Sequence, residues 1–381
     1  MLQRYLNFQS YASYTIFSLN ENVIDKRVFT KENRDHSFIT LFHINRHFTL
    51  SYLSVFATGY LKKYHRREEV AMYRFKRLMV GLVLGDTDES KIRYASLVSR
   101  LASSEEIIFI HVRSSFAVKA DLSDEVSQLS NELIEEQMRE LVAKYCVYCP
   151  VGVKIEYELF DESPMIDIEL LRRIKQKNID LVVVGKISGE FTAKETVPVR
   201  ITRKAPCSAL YIPRGSWPGG AKPSDTRILV PVDFSDNSVD AMQLAIDFAA
   251  EYKITDISCV HVFDVPLGYY KRGKSYEEFS EIMRKNAEKK LAEFRKLFDF
   301  KGIAISSDLL RLEDKHYKAI LDEVEQRKIN LLIIGARRRK AAARFLLQSV
   351  TEQLIRTTTV PLLAVIKRGK GMSFFEALLR I

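Results

Sequence analysis

The stretch "KNIDLVVVGK" at residues 177–186 returns as "RKINLLIIGA" at residues 327–336. Each is a short apolar run, rich in β-branched residues and closed by a glycine, which is how a strand buried on both faces reads. Gly185 and Gly335 stand 335 − 185 = 150 positions apart. The same offset lays "EEIIFIHVRS" (105–114) over "TDISCVHVFD" (255–264), matching His111 and Val112 with His261 and Val262. It also lays "KRLMVGLVLG" (76–85) over "TRILVPVDFS" (226–235), with Arg77 on Arg227. Three collinear matches at one spacing identify two copies of a single unit.

Outward from these runs, strand and helix patterns alternate. In the second copy the strands read "RILVPV", "DISCVHVF", "GIAISSDLL", "INLLIIG" and "PLLAVI". Between them lie helical patterns; one places Phe279, Met283, Ala287, Leu291, Phe294 and Leu297 on a common face. Such alternation predicts an α/β fold of two tandem doubly wound, parallel, five-stranded sheets, with ligands at the carboxyl ends of the strands. The stretch "PRGSWPGGAKPSDT" at 213–226 gathers three prolines, three glycines and the only tryptophan, and marks a linker over 214–226. The copies then occupy 73–213 and 227–367. Each ends in an apolar strand, "CSALYIP" or "PLLAVIK", whose bare edge would invite aggregation, so the two are expected to join as one pseudo-twofold unit.

With 381 residues, 46% of them hydrophobic, the chain can bury a large core. Its net charge of +10 raises a nucleic-acid or membrane partner, but acids and bases are interspersed and no basic groove stands out. No nucleic acid is expected. Four cysteines fit a reducing compartment. Cys146 and Cys149 form a CxxC, "YCVYCP", that ends a helical stretch instead of opening one, so it lacks the setting that lowers a thiol pKa. No second CxxC supplies the ligands of a zinc site. The pair reads as an ordinary surface feature.

A nucleotide at the strand ends needs an acceptor for its ribose, an apolar slot for its base and backbone N–H groups for its phosphates. The second copy offers Asp233 after its first strand, Val262 at the end of its second, and Gly335 before the basic loop "ARRRK" and the helix opened by Ser349. Each has a plainer alternative. Asp233 can cap the helix beginning near "SDNS". Ser349 and Glu352 form a capping box whether or not a ligand is bound. Arg337, Arg338, Arg339, Lys340 and Arg344 can be a solvated loop or can hold phosphate by side-chain charge. His261 reads as a satisfied core histidine.

At these residues the second copy resembles a universal stress protein domain. That family carries P-x-D after strand one, a His-Val pair ending strand two, and G-x2-G-x9-G-[ST] after strand four. Pro231, Val232 and Asp233 match the first element, His261 and Val262 the second, and Gly335 and Ser349 the outer positions of the third. Arg338 and Gln348 replace the inner glycines, which alters the backbone phosphate contacts. The resemblance implies a stress-response or regulatory protein of the cytoplasm, binding ATP, ADP or AMP through Pro231, Val232, Asp233, Val262, Ile334, Gly335, Arg338, Ser349, Val350 and Thr351. It also implies that the halves pair as an intrachain pseudo-dimer, with a homodimer left open. The alternative is a ligand-free tandem scaffold for protein partners.

The first copy departs further. Val83 stands at the place of Asp233 and Gly81 at that of Pro231. Its final strand aligns at 361 − 208 = 153, so the preceding loop is three residues shorter, and Glu195 and Thr196 replace Gln348 and Ser349. No nucleotide is expected there. Residues 1–72 fit neither copy and read as a poorly ordered or non-native extension, with Met72 as a natural start; the alternative is a peripheral membrane or partner-binding helix. Their apolar run is shorter than a spanning helix needs. The tail 368–381, with "SFFEALLRI", can form a short amphipathic helix. No SGGxDS, HxGH or nucleophile-elbow motif nominates an enzymatic chemistry, and at most weak ATP hydrolysis is expected.

Overall fold

The computed structural model describes residues 75–113, 124–161, 166–186, 197–217, 221–336 and 350–366. The readings of 1–72, of the tail 368–381 and of the basic loop 337–349 with Ser349 lie outside these residues.

Among the described residues, strands and helices alternate within each half. The first half runs β1 (Arg77–Leu82), α1 (Asp88–Ala102), β2 (Glu106–Arg113), α2 (Asp124–Tyr145), β3 (Lys154–Asp161), α3 (Ile166–Gln176), β4 (Leu181–Lys186), α4 (Val197–Lys204) and β5 (Ser208–Pro213). The second runs β6 (Ile228–Pro231), α5 (Asp236–Tyr252), β7 (Asp256–Phe263), α6 (Tyr276–Arg295), β8 (Ala304–Arg311), α7 (His316–Gln326), β9 (Leu331–Gly335), α8 (Val350–Thr357) and β10 (Leu362–Val365). Within each half the pairing is parallel, in the orders β3-β2-β1-β4-β5 and β8-β7-β6-β9-β10.

The two five-stranded sheets do not stay separate. β5 and β10 pair antiparallel, Leu210 opposite Leu363, and fuse them into one ten-stranded sheet. The pairing satisfies the backbone groups of the two most apolar edges. It leaves β3 and β8 as the outer edges. β3 is lined by an ion-pair chain in which Lys154 and Lys177 both meet Glu156, and Lys177 and Arg173 both meet Glu158.

Because side chains alternate along a strand, each strand feeds two cores. Leu78, Val80, Ile107 and Phe109 pack on one face with Ala95, Leu97 and Val98 of α1. Met79, Ile108 and Ile110 pack on the other with Leu170, Leu171 and Ile174 of α3. Both layers run through the seam, since Ile228 and Val230 belong to the first cluster and Leu229 to the second. Fully burying one such side chain contributes about 1.5–3 kcal/mol.

The repeat is visible in the backbone itself. Left-handed residues recur at the 150 spacing: Leu84 and Phe234, Ser103 and Lys253, Gly152 and Gly302, Asn178 and Lys328. Two expectations change. α6 ends at Arg295, so Leu297 leaves the helical face that buries Phe279, Ala287, Leu291 and Phe294 and stands exposed. Cys146 and Cys149 are not a bland pair of thiols: the turn after α2 brings their Cα atoms to 5.8 Å and a disulfide joins them.

Candidate functional site

In the second half the order of strand addition reverses at β6, which has β7 on one side and β9 on the other, both parallel to it. In such sheets the crevice lies at the carboxyl ends of the strands at that point. β6 delivers Pro231, then Val232 and Asp233; β9 delivers Ile334 and Gly335; β7 delivers Val262. Val232 and Ile334 are buried, Val262 is half-buried and Asp233 is exposed. Gly335 faces the first turn of α5 at backbone distance. A Cβ there would sit 2.5 Å from the carbonyl carbon and oxygen of Asn237 and 2.8 Å from the Ser238 nitrogen. No side chain fits, and only glycine lets β9 approach the helix start this closely.

Asp233 organises the loop between β6 and α5. Its Oδ1 accepts from the Ser235 amide at 3.0 Å, the Ser235 hydroxyl at 2.5 Å and the Ser238 hydroxyl at 2.5 Å, while its own amide donates to Ser238 Oγ at 2.9 Å. The capping role read from "SDNS" changes: Ser235 is the N-cap of α5, and Asp233 braces it and Ser238 without accepting from an amide of the helix. The next residue, Phe234, is left-handed (φ 60°) and packs on His261 with ring centroids 4.3 Å apart. His261 lies with Nδ1 2.8 Å from the Val232 carbonyl oxygen, so that nitrogen carries the hydrogen. Burial pushes its imidazole below the ordinary histidine range, partly offset by this bond. It is the satisfied core histidine expected, and His111 repeats the contact on the Leu82 carbonyl at 3.1 Å.

Val350 and Thr351 open α8, whereas Arg338 and Ser349 lie outside the described residues. The capping box read with Ser349 therefore lies outside them too, but its other member, Glu352, is described. Its side chain is buried, and its carboxylate meets Arg203 of α4 at 2.6 Å and Arg356 at 3.4 Å. The glutamate is turned toward the seam, where it faces a cation from each half.

The matching crevice of the first half is filled from within. Asp88, the first residue of α1, accepts from the amides of Val83 at 3.2 Å, Leu84 at 2.7 Å and Gly85 at 3.3 Å. Lys91 lies 2.6 Å from Asp88 and donates to the Gly81 carbonyl at 2.5 Å, and both side chains are fully buried. Burial lowers the Lys91 pKa, against the pull of Asp88. Beneath Gly185, where the second half has helix backbone, the nearest atoms are those of Lys91 at 3.6 Å. At the 150 spacing Asp88 and Lys91 replace Ser238 and Ala241. That exchange of a hydroxyl and a methyl for an acid and a base is legible in the sequence at the 150 spacing, outside the loop glycines.

Among the described residues no His, Cys, Asp and Glu cluster suits a metal ion, and no helix is long and apolar enough to cross a membrane. Residues 226–365 match the model of the universal stress protein family. A universal stress protein of Methanocaldococcus jannaschii is 30% identical over 146 residues, 38% of this chain and 84% of that protein. The crystal structure of a universal stress protein from Archaeoglobus fulgidus covers 78% of this chain and 100% of its own, with TM-score 0.52 and 18% identity, a likeness of fold. The local geometry agrees with this kinship at the loop after β6 and the glycine ending β9, and the chain belongs to the universal stress protein family.

Proposed function

We propose that the second half binds an adenine nucleotide, ATP with ADP or AMP as alternatives, and that the protein is a cytoplasmic stress-response or regulatory protein. The observation that carries this is the bare backbone meeting of Gly335 with the start of α5, beside an exposed Asp233. In this reading the base lies by Val232 and Val262, and the ribose hydroxyls reach Asp233. Pro231 and Ile334 wall the crevice. The phosphates approach Gly335 and the start of α8 at Val350 and Thr351, where the macrodipole favours an anion by about 0.3–1 kcal/mol. Arg338 and Ser349, outside the described residues, supply the remaining phosphate contacts. The first half takes no nucleotide, because the anion-accepting amides of Val83, Leu84 and Gly85 already hold Asp88. The seam supports taking the two halves as one intrachain pseudo-dimer.

A second reading, a ligand-free scaffold for protein partners, is favoured by one observation: the Asp233 carboxylate is engaged by Ser235 and Ser238. Thermal unfolding with millimolar ATP, ADP and AMP separates the two. A ligand of the folded state raises stability by about 2.7 kcal/mol at a hundredfold excess over its Kd. The expected result is a raised midpoint that disappears in Asp233→Ala, read against that variant's own baseline since the substitution also frees Ser235 and Ser238. No shift with any nucleotide, and none released from freshly purified protein, would leave the scaffold.

A further inference from the structure

We propose that the Cys146–Cys149 disulfide is a reversible thiol–disulfide exchange site, reduced by external dithiols, and that its state is transmitted to the linker between the halves.

The bond closes a loop with a sequence separation of only 3. A cross-link restrains the unfolded chain least when its loop is shortest, so this one is a weak staple for the fold. Both cysteines are half-buried and the loop around them reaches solvent, with Val147 exposed and Val151 wholly so. The other two cysteines, Cys207 and Cys259, are buried, and burial pushes the Cys259 thiol up to about 12. Access and reactivity thus single out one pair. The Cys146 amide is tied to the Val142 carbonyl at 2.8 Å, at the carboxyl end of α2, where the helix dipole disfavours a thiolate. The site is therefore a target of exchange and not an attacking group. A thiolate of an external dithiol attacks one sulfur and releases the other as a thiol. The second thiol of the reagent then resolves the mixed disulfide. Two protons and two electrons pass to Cys146 and Cys149, and the dithiol leaves as a disulfide.

What surrounds the loop gives the exchange a reader. Tyr145, next to Cys146, lies under the Arg93 guanidinium at 5.1 Å, and Trp217 of the linker lies against the same guanidinium at 5.8 Å. Trp217 also meets Tyr94 edge-on at 5.2 Å, and its amide donates to Ser90 Oγ at 3.2 Å. On the far side of α1, Tyr252 of the second half donates its hydroxyl to the Leu97 carbonyl at 2.6 Å. Tyr145, adjoining the four-residue loop, is thus joined to α1 and through Arg93 to the linker. Opening the bond frees Tyr145 and Tyr148 to shift, and Arg93 passes the change to Trp217.

The chain contains one tryptophan, so its emission reports this clasp directly. The full chain is equilibrated without denaturant in mixtures of reduced and oxidised dithiothreitol, labelled with a maleimide and mapped by peptide mass, with emission recorded in parallel. Labels should appear together on Cys146 and Cys149 as the reduced fraction rises, with Cys207 and Cys259 unlabelled, and emission should shift to the red along the same curve. The double variant C146S/C149S should emit like the reduced protein at every ratio, and Arg93→Gln should keep the labelling curve while losing the emission shift. Failure of the pair to label at any ratio, labelling of one cysteine without the other, or identical emission from oxidised and reduced protein would each overturn the proposal.

Discussion

Gly185 and Gly335 hold equivalent places in the repeat, yet the structure assigns them different tolerances. Alanine at 335 would drive a methyl to 2.5 Å from the Asn237 backbone, so Gly335→Ala should cost about 1–3 kcal/mol, the usual range for overpacking. At 185 the nearest atoms stand at 3.6 Å and belong to a lysine side chain, so Gly185→Ala should be neutral or gain about 0.4–1 kcal/mol by restricting the unfolded chain. Urea unfolding of the two variants tests the contrast, and equal effects would refute it. Asp88 and Lys91 make a similar asymmetry. Lys91→Met leaves the carboxylate its three amide donors, whereas Asp88→Asn leaves a buried ammonium with the Gly81 carbonyl. Breaking a buried pair typically costs about 3–5 kcal/mol, and Asp88→Asn should fall at the upper end, well above Lys91→Met.

Helices α4 and α8 are equivalent by the 153 spacing, which places Arg203 on Arg356, and both arginines converge on Glu352. Burial alone would raise the pKa of this carboxyl, but the arginines outweigh it and hold it below the usual range. Its stabilising contribution is present above the ordinary glutamate pKa and is lost as pH falls through the lower folded value. Glu352→Gln should therefore cost about 3 kcal/mol at neutral pH, the low end for a buried pair because Arg203 keeps access to solvent, and flatten the acid limb of the stability profile. Urea midpoints between pH 3 and 7 measure both. The elements themselves were readable in advance, because apolar runs such as "LVVVGK" and "LLIIGA" and the 150 spacing are local signals that survive without context. The bridge from Glu352 to Arg203 was not, since local sequence says nothing of the packing of α4 beside α8 that brings Arg203 to it. Asp233 carries two readings in the sequence because a carboxylate that can receive a ribose hydroxyl can equally receive the hydroxyls of Ser235 and Ser238. The disulfide escaped because a CxxC at a helix end carries no spacing signal for a bond.

For the whole molecule, alkaline pH opposes two sets of buried groups. Lys186, at the end of β4, is buried and donates to the Thr358 carbonyl of the second half, and burial lowers its pKa to about 8. Between that value and the ordinary lysine pKa the unfolded chain binds the extra proton, so stability rises with pH, by up to about 3 kcal/mol for this group. Lys91 acts in the same direction. Burial raises the phenols of Tyr94, Tyr211 and Tyr252, so above about pH 10 only the unfolded chain ionises there and stability falls. Denaturant midpoints from pH 7 to 11 should pass through a maximum near pH 9–10, between the lysine and tyrosine ranges, and Lys186→Met should remove much of the rise.

The antiparallel seam between β5 and β10 has a geometric consequence. Strands within each half run parallel, so reversing one half against the other points their carboxyl ends to opposite ends of the sheet. The two crevices, one between β1 and β4 and one between β6 and β9, therefore open in opposite directions, four strand positions apart. At about 4.8 Å per strand position that is roughly 19 Å sideways, with a strand length to add. Screening at physiological salt fades over about 8 Å. Charge entering one mouth is invisible to the other through solvent, and any message between them has to travel as strain through the seam.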